Sequence, residues 1–306
     1  MAIRPTRRDL LHSSGALLGA SALAACAPTA PGVDCPAPDA GFQPREASSF
    51  WGPGGWFRHD TVDASRVGDG LVRAQLWGAW RELSLASLPD SFVTWSLEER
   101  LLKLDELAVK GFDTRDLDGP HNACVATYGG VDPGSFTSLN TAYKGMGFVP
   151  RPERLAQAVT SLRNRVAVMG KAGLDMPTRM ARALDVLREL YRDVDLWDRT
   201  RQVSLELFST SEFTTHTFAN MLANPVASCS FLAFPAYELR TVPQLLHPDD
   251  PDLEESERLV MAWTNGVHDL AHGGGGSGSR RITCIYHLVE LYDDTPSAGG
   301  RGKRLR

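Results

Sequence analysis

The stretch that decides the fold lies near the carboxyl end of the chain: Ile-Thr-Cys-Ile-Tyr-His-Leu-Val-Glu-Leu-Tyr, residues 282–292. It is rich in β-branched and aromatic residues, which is typical of a central β-strand. The middle of the chain differs, because apolar residues recur there every three to four positions, as on one face of a helix. Together the two patterns predict an α+β fold, with a helix-rich middle and a smaller sheet that contains the C-terminal strand.

Four stretches predict helices. Ser96-Leu-Glu-Glu99 fits a capping box that opens the first helix. Pro152 occupies the first turn of a second helix and a third follows Pro177, so these two are expected to form an antiparallel hairpin on a shared core. A fourth helix is predicted for residues 252–265, after which Asn-Gly is a turn signal.

The remaining segments are less regular. Residues 121–147 are rich in Gly, Asn, Ser and Thr and predict a long ordered loop of the kind that often lines a site. Five of the seven tryptophans fall within residues 51–95, where they form either a ligand surface or part of the core. Residues 229–234 are expected to form a short buried strand between prolines.

The first 26 residues have the layout of a secretory signal, with a basic start and a small apolar stretch that ends at a cysteine. Thr6-Arg7-Arg8-Asp9-Leu10-Leu11 resembles the bacterial twin-arginine export signal, and Leu23-Ala24-Ala25-Cys26 resembles a lipobox. The resemblance implies cleavage before Cys26 and acylation of its thiol. It also implies two partners, the twin-arginine translocase and the lipid bilayer. The alternative is an ordinary cleaved signal in which the cysteine is incidental.

The composition of the chain predicts how it is divided into segments. Several acyl chains on one cysteine hold a protein stably on a membrane, here on the periplasmic or extracytoplasmic side of the cell envelope. Six prolines follow within the next thirty residues and predict an extended tether. The predicted order is a signal peptide (1–25), a Pro/Ala/Gly-rich tether (26–55), a single α+β globular domain (56–296) and a basic flexible tail (297–306).

Charge and motifs exclude several classes of protein. A chain of 306 residues that is 42% hydrophobic has enough apolar material for a sizeable core, and its formal charge of −5 gives no reason to expect nucleic acid as a partner. No apolar run is long enough for a polytopic membrane protein. The chain has neither a P-loop nor a dinucleotide-binding glycine motif.

Four cysteines remain once Cys26 is set apart. Their even number in an oxidising compartment permits two disulfides with three connectivities, and buried free thiols are the alternative. Their spacing contains no C-x-x-C element of a zinc ribbon or redox pair. These cysteines are Cys35, Cys124, Cys229 and Cys284.

The sharpest chemical motif is Val267-His268-Asp269-Leu270-Ala271-His272. Two imidazoles four residues apart on a helix project in nearly the same direction and can chelate one divalent metal ion, zinc or iron. They fall on the side of the helical wheel opposite the apolar stripe that contains Trp263 and Leu270. If the helix ends at Asn265-Gly266, this argument does not apply, and the histidines are then solvated or hydrogen-bonded.

This motif resembles the metal-binding motifs of two enzyme families. In zincin metalloproteases the pattern is H-E-x-x-H, so Asp269 stands in the place of the general base and Glu290 in that of a third ligand. HD-domain phosphohydrolases bind metal through an adjacent His-Asp pair, which His268-Asp269 matches, with His247 or His216 upstream. These resemblances imply metal-dependent hydrolysis, with Asp269 and Glu290 as candidate catalytic residues.

His287 is the best further candidate for a metal ligand, or else a hydrogen-bonded core histidine in the predicted strand. The glycines of residues 273–279 predict a hinge beside the histidine pair, and no G-x-S-x-G element supports a lipase. The sequence thus favours a lipoprotein that hydrolyses its substrate with metal-activated water. The alternative is a non-enzymatic envelope protein that binds a ligand or partner through residues 51–95 and 121–147.

Overall fold

Strand β9 (Ile282–Asp293) is an interior strand of the larger of two antiparallel sheets, paired on both sides, as its composition predicts. The structure is a computed structural model that describes residues 44–111, 118–129, 136–272, 280–297 and 302–306. Within these ranges, helices and two sheets form an α+β fold, so the predicted fold class is confirmed. Residues Asp39–Arg306 make up one compact unit with its own hydrophobic core, which is what an independently folding domain requires.

The larger sheet has the order β10-β9-β8-β7-β4-β5, and β6 pairs with the first half of β9. A backbone bridge between Gly147 and Val203 of β6 connects the chain just beyond β5 to this far side. The other strands are β4 (Asn122–Tyr128), β5 (Leu139–Gly145), β6 (Arg201–Glu206), β7 (Ala227–Ser230), β8 (Tyr237–Leu246) and β10 (Lys303–Arg304).

The smaller sheet is formed by the chain that precedes the first long helix. Its inward residues Val72, Ala74 and Leu76 pack with Val242 of β8 in a second, smaller apolar cluster. This contact attaches the small sheet to the large one. Its strands are β1 (Val62–Asp63), β2 (Leu71–Leu76) and β3 (Ala79–Ser84).

Helices cover both faces of the larger sheet. The α-helices are α1 (Asp90–Lys110), α2 (Pro152–Lys171), α3 (Met176–Arg192), α4 (His216–Ala223) and α5 (Glu255–Ala271). Consecutive strand residues point to opposite faces. Cys284 meets Met221 of α4, whereas its neighbour Thr283 meets Asn265 of α5. The two helices therefore lie on opposite faces, and α2 and α3 pack against α5.

Several sequence predictions for helices hold and one is wrong. Helices α2 and α3 begin near Pro152 and Pro177 as expected. The predicted capping box at Ser96 does not start a helix, because α1 begins six residues earlier and Ser96 is buried inside it. The apolar residues Phe92 and Val93 extend the buried face upstream of the polar pattern that suggested a cap.

The predicted loop at 121–147 is also wrong. Its first part forms β4 and its last part β5, paired in register from Asn122 opposite Gly145 to Tyr128 opposite Leu139. Small polar residues fit here because one side of β5 is exposed, so alternating hydrophobicity was not needed to form the strand. The strand expected at 229–234 is only partly present, because β7 ends at Ser230 and the residues that follow form the turn to β8.

The predicted ends of the globular domain need correction as well. The sequence predicts that residues 44–55 belong to the tether, yet Ala47–Phe50 form a 3₁₀-helix and Phe50 is buried in the core. The end of the predicted flexible tail forms β10, and Leu305 donates a backbone hydrogen bond of 2.8 Å to Leu291. The signal peptide, Cys26, residues 27–43 of the tether and the glycines at 273–279 lie outside the described residues.

Candidate functional site

Helix α5 continues through Asn265 and Gly266, so the turn signal there does not end it. Gly266 lies where α2 packs closely, since a Cβ at this position would be 2.9 Å from Cδ2 of Leu162. The glycine is therefore explained by helix packing. Because the helix extends to Ala271, His268 lies in its last turn and His272 is its C-cap residue.

The structure brings the two imidazoles together. The ring centroids of His268 and His272 are 4.5 Å apart and the ring planes are inclined by 41°. The side chain of His268 is 24% exposed, at the edge of the buried stripe that includes Leu270. The i, i+4 spacing thus produces the juxtaposition that the sequence predicted.

Arg281 is a third member of this cluster, and no pattern in the sequence indicates it. Its Nη1 lies 2.8 Å from Nδ1 of His268 and 3.5 Å from Oδ1 of Asp269. A guanidinium only donates, so Nδ1 of His268 accepts this hydrogen bond and the ring carries its proton on Nε2. Arg281 is positioned by its own backbone N–H, which donates to Oδ1 of Asn265 at 2.9 Å.

Electrostatics in the cluster keep His268 neutral. Burial, the neighbouring His272 and the positive charge of Arg281 lower the pKa of His268, and Asp269 opposes them only in part. A neutral imidazole is the form that binds metal. Here, however, one ring nitrogen of His268 is held by a guanidinium and the other is protonated. The cluster as it stands does not fit a metal ion.

His287 does not join the pair. It follows Arg281 by six residues along an extended strand, which amounts to about 20 Å of strand length. Its Nε2 is 3.0 Å from Oε1 of Gln244, whose amide donates at 2.8 Å to Glu257. Burial, together with Arg201, lowers the pKa of His287 to about 3. Its contacts are those of a hydrogen-bonded core histidine, which was the alternative.

Glu290 is separated from the histidine pair as well. Tyr292 donates to it at 2.9 Å, and Arg240 and Arg304 form ion pairs with it at 3.3 and 3.2 Å. Glu290 therefore links β8, β9 and β10. The structure does not place it as a third ligand or a catalytic partner of Asp269.

The upstream histidines suggested by the HD-domain resemblance have other surroundings. His247 packs edge-on against Trp51 and Phe57, and His216 is the first residue of α4. In the part of the chain that the structure describes, no three His, Cys, Asp or Glu side chains are grouped so that they could hold one metal ion.

The three described cysteines are free thiols. Cys229 on β7 pairs with Leu239 of β8, whereas Cys284 on β9 pairs with Leu245, six residues further along β8, so the two cysteines are not cross-strand neighbours. Cys124 lies next to Val125, the residue opposite Cys229, and so points to the other face of the sheet. Two disulfides among the four cysteines are therefore ruled out. Burial raises the pKa of Cys284 to about 12, which makes its thiol unreactive.

A buried ion pair connects two segments far apart in sequence. Nζ of Lys144 in β5 lies 2.5 Å from Oε2 of Glu206 at the end of β6, and their side chains are only 11% and 1% exposed. The other carboxylate oxygen of Glu206 accepts the backbone N–H groups of Phe208 and Ser209 at 3.1 and 3.2 Å. No local pattern in the sequence indicates this pair.

The tryptophan-rich region contributes more to the core than to a surface. Trp95 is buried against Phe92, and Trp51 packs against Phe57 and Phe218. Trp80 is the exception, with 44% of its surface exposed. A separate cavity of about 270 Å³ opens between α2 and α3, and its lining contains no residue of the histidine cluster.

Exposed apolar side chains are concentrated elsewhere. Several lie on β5, at its start, and on the connection from β6 to α4. The most exposed of them are Phe136, Leu139, Tyr143, Leu207, Phe208 and Phe213.

The chain matches no family model, no curated protein and no solved structure. Among the helices in the described ranges, none has the length and apolar character needed to cross a bilayer.

Proposed function

We propose that this protein is an exported, lipid-anchored protein of the bacterial cell envelope whose α+β body binds a partner and is not an enzyme. The observation that carries the proposal is the order of two elements in one short segment, Arg7-Arg8 followed by Leu23-Ala24-Ala25-Cys26. Acyl chains on Cys26 supply the membrane anchor. The exposed apolar residues of the body support a binding role, since such surfaces mark sites of interaction.

The anchor is tested by replacing its cysteine. In a bacterial host, Cys26→Ala should move the full-length protein from the membrane fraction to the soluble fraction, while the matched variant Cys35→Ala stays in membranes. Mass spectrometry of the N-terminal peptide should find an acylated Cys26 in the wild type. Membrane retention of Cys26→Ala, or an unmodified N-terminal cysteine, contradicts acylation.

The export route has a separate test. Substituting Arg7→Lys and Arg8→Lys together should leave unprocessed precursor in the cytoplasm, because the receptor reads the arginine pair. Arg4→Lys, outside the pair, is the control and should be exported normally. Normal export of the double variant contradicts the twin-arginine assignment.

A second candidate function, binding of zinc or iron, is favoured by the 4.5 Å separation of the His268 and His272 rings. It requires Arg281 to leave His268, because the guanidinium occupies Nδ1 and adds a positive charge. A bound metal would supply an activated water for hydrolysis. Asp269, 3.6 Å from Nδ1 of His268, is the carboxylate placed to orient that imidazole.

Calorimetric titration of the mature protein with zinc tests this candidate. Stoichiometric binding that His268→Ala and His272→Ala each abolish supports it, and Arg281→Ala should then bind zinc more tightly than the wild type. Absence of binding in both the wild type and Arg281→Ala contradicts it.

A further inference from the structure

We propose that exposed apolar side chains on two neighbouring segments form a surface that lies against the bilayer beside the lipid anchor. The inference rests on the proposed anchoring and names the partner that the body contacts. The surface is called the docking surface and consists of Phe136, Leu139, Tyr143, Leu207, Phe208 and Phe213, each at least half exposed apart from Leu207 at 49%.

Two polar contacts hold the two segments side by side. The first is the ion pair between Lys144 and Glu206, next to which Tyr143 and Leu207 are exposed. The second joins Asn140 to Thr217 of α4 through a hydrogen bond of 2.6 Å, and Leu139 is exposed next to it. The connection from β6 to α4 thus follows the edge strand β5, and the apolar side chains of both belong to one region.

The connection that carries the phenylalanines is ordered by its own hydrogen bonds. Glu206 accepts the N–H groups of Phe208 and Ser209, and Thr210 donates its N–H to the carbonyl of Phe213 at 2.6 Å. Thr215, the N-cap of α4, donates its N–H to Oγ of Ser209 at 3.1 Å. Phe208 and Phe213 nevertheless stay 68% and 61% exposed. The backbone therefore presents these rings to the surroundings.

The point at which the tether joins the folded body favours a bilayer as the partner. The 3₁₀-helix Ala47–Phe50 packs against α4, and the ring of Trp51 lies 5.9 Å from that of Phe218. Residues 27–46 separate this 3₁₀-helix from Cys26, a reach of about 70 Å at full extension. An anchor at Cys26 holds α4 and the adjoining docking surface within this distance of the membrane. The tether thus raises the effective concentration of the docking surface at the bilayer, so that even weak apolar contacts with lipid form.

The charge of the two segments agrees with a lipid surface that needs no electrostatic attraction. Residues 136–143 contain no charged side chain, and residues 207–213 contain one, that of Glu212. The whole chain, by comparison, is 23% charged. Aromatic and aliphatic side chains without basic neighbours insert at the boundary between headgroups and acyl chains. Binding is therefore expected on zwitterionic lipid and should depend little on salt.

The test uses the body without its anchor, residues 39–306, which form a compact unit of their own. The probe is sedimentation with phosphatidylcholine vesicles at high lipid concentration. The wild-type body should co-sediment, and Phe208→Ser with Phe213→Ser should weaken its partition at least about tenfold, since each exposed ring loses its burial in lipid.

A matched control is available at the opposite end of β4. Leu232 and Phe234 are 51% and 68% exposed, and the carbonyl of Leu232 accepts the N–H of Gly119, just before β4 begins. Leu139 pairs with Tyr128 at the other end of that strand, about 20 Å away. Leu232→Ser with Phe234→Ser should bind vesicles like the wild type. Thermal unfolding of all three proteins checks that they are folded.

The outcomes separate the two proposals. Loss of vesicle binding in the Phe208/Phe213 variant alone supports the docking surface, whatever Cys26→Ala does in cells. Equal binding by both double variants, no binding by the wild-type body, or binding removed by 0.5 M salt overturns it. So does a concentration-dependent dimer that the Phe208/Phe213 substitutions disperse, because the surface then binds a second copy of the chain. Whether Cys26 anchors the protein is tested separately, by the distribution of Cys26→Ala between the membrane and soluble fractions.

Discussion

Removing the cation from the buried ion pair between Lys144 and Glu206 should destabilise the protein strongly. In Lys144→Met the carboxylate of Glu206, 1% exposed, is left without its counter-charge. Breaking a buried pair on one side costs about 3 to 5 kcal/mol. Because Glu206 keeps two backbone donors, Phe208 and Ser209, the lower end of about 3 kcal/mol is expected. Urea unfolding of the body measures this cost.

Two further variants show whether burial is the reason. The exposed pair of Arg165 and Glu189, with side chains 44% and 58% exposed, provides the control, and Arg165→Met should cost less than about 1 kcal/mol. Glu206→Gln added to Lys144→Met should recover part of the loss, since an amide oxygen still accepts both N–H groups without a buried charge. If Lys144→Met costs no more than Arg165→Met, the reasoning is refuted.

Two other predictions concern stability. Burial lowers the pKa of His287 to about 3 and that of His59 to about 4. As the pH drops from about 6.5 towards these values, the two histidines bind protons in the unfolded chain but not in the folded protein, so the free energy of unfolding falls. His287→Gln should reduce this slope by about 1.4 kcal/mol per pH unit between pH 6 and 4 in urea titrations; an unchanged slope contradicts the assignment. Gly266→Val, which places a side chain against Leu162, should lower the urea midpoint by the equivalent of about 1 to 3 kcal/mol, and an unchanged midpoint means that α2 and α5 are not in close contact.

Local patterns in the sequence predicted the elements that depend on neighbours along the chain. The composition of β9 and the prolines before α2 and α3 act within one strand or one helical turn, and those predictions were correct. The prediction that His268 and His272 lie together was of the same kind, because four residues along a helix fix their proximity. Ser96 shows where a local pattern misleads, since burial extended α1 beyond it.

What the tertiary structure decided depends on residues far apart in sequence. Arg281 reaches His268 because β9 begins beside the end of α5, and this contact turned an expected metal ligand into an acceptor for a guanidinium. The pairing of Lys144 with Glu206, across 62 positions, brought the exposed residues of the docking surface together. The sequence by itself determined the α+β class, since strand and helix patterns lie in short stretches. In the same way it predicts the export signal. Strand order and helix packing determined which side chains meet, because such contacts arise only when the chain closes on itself.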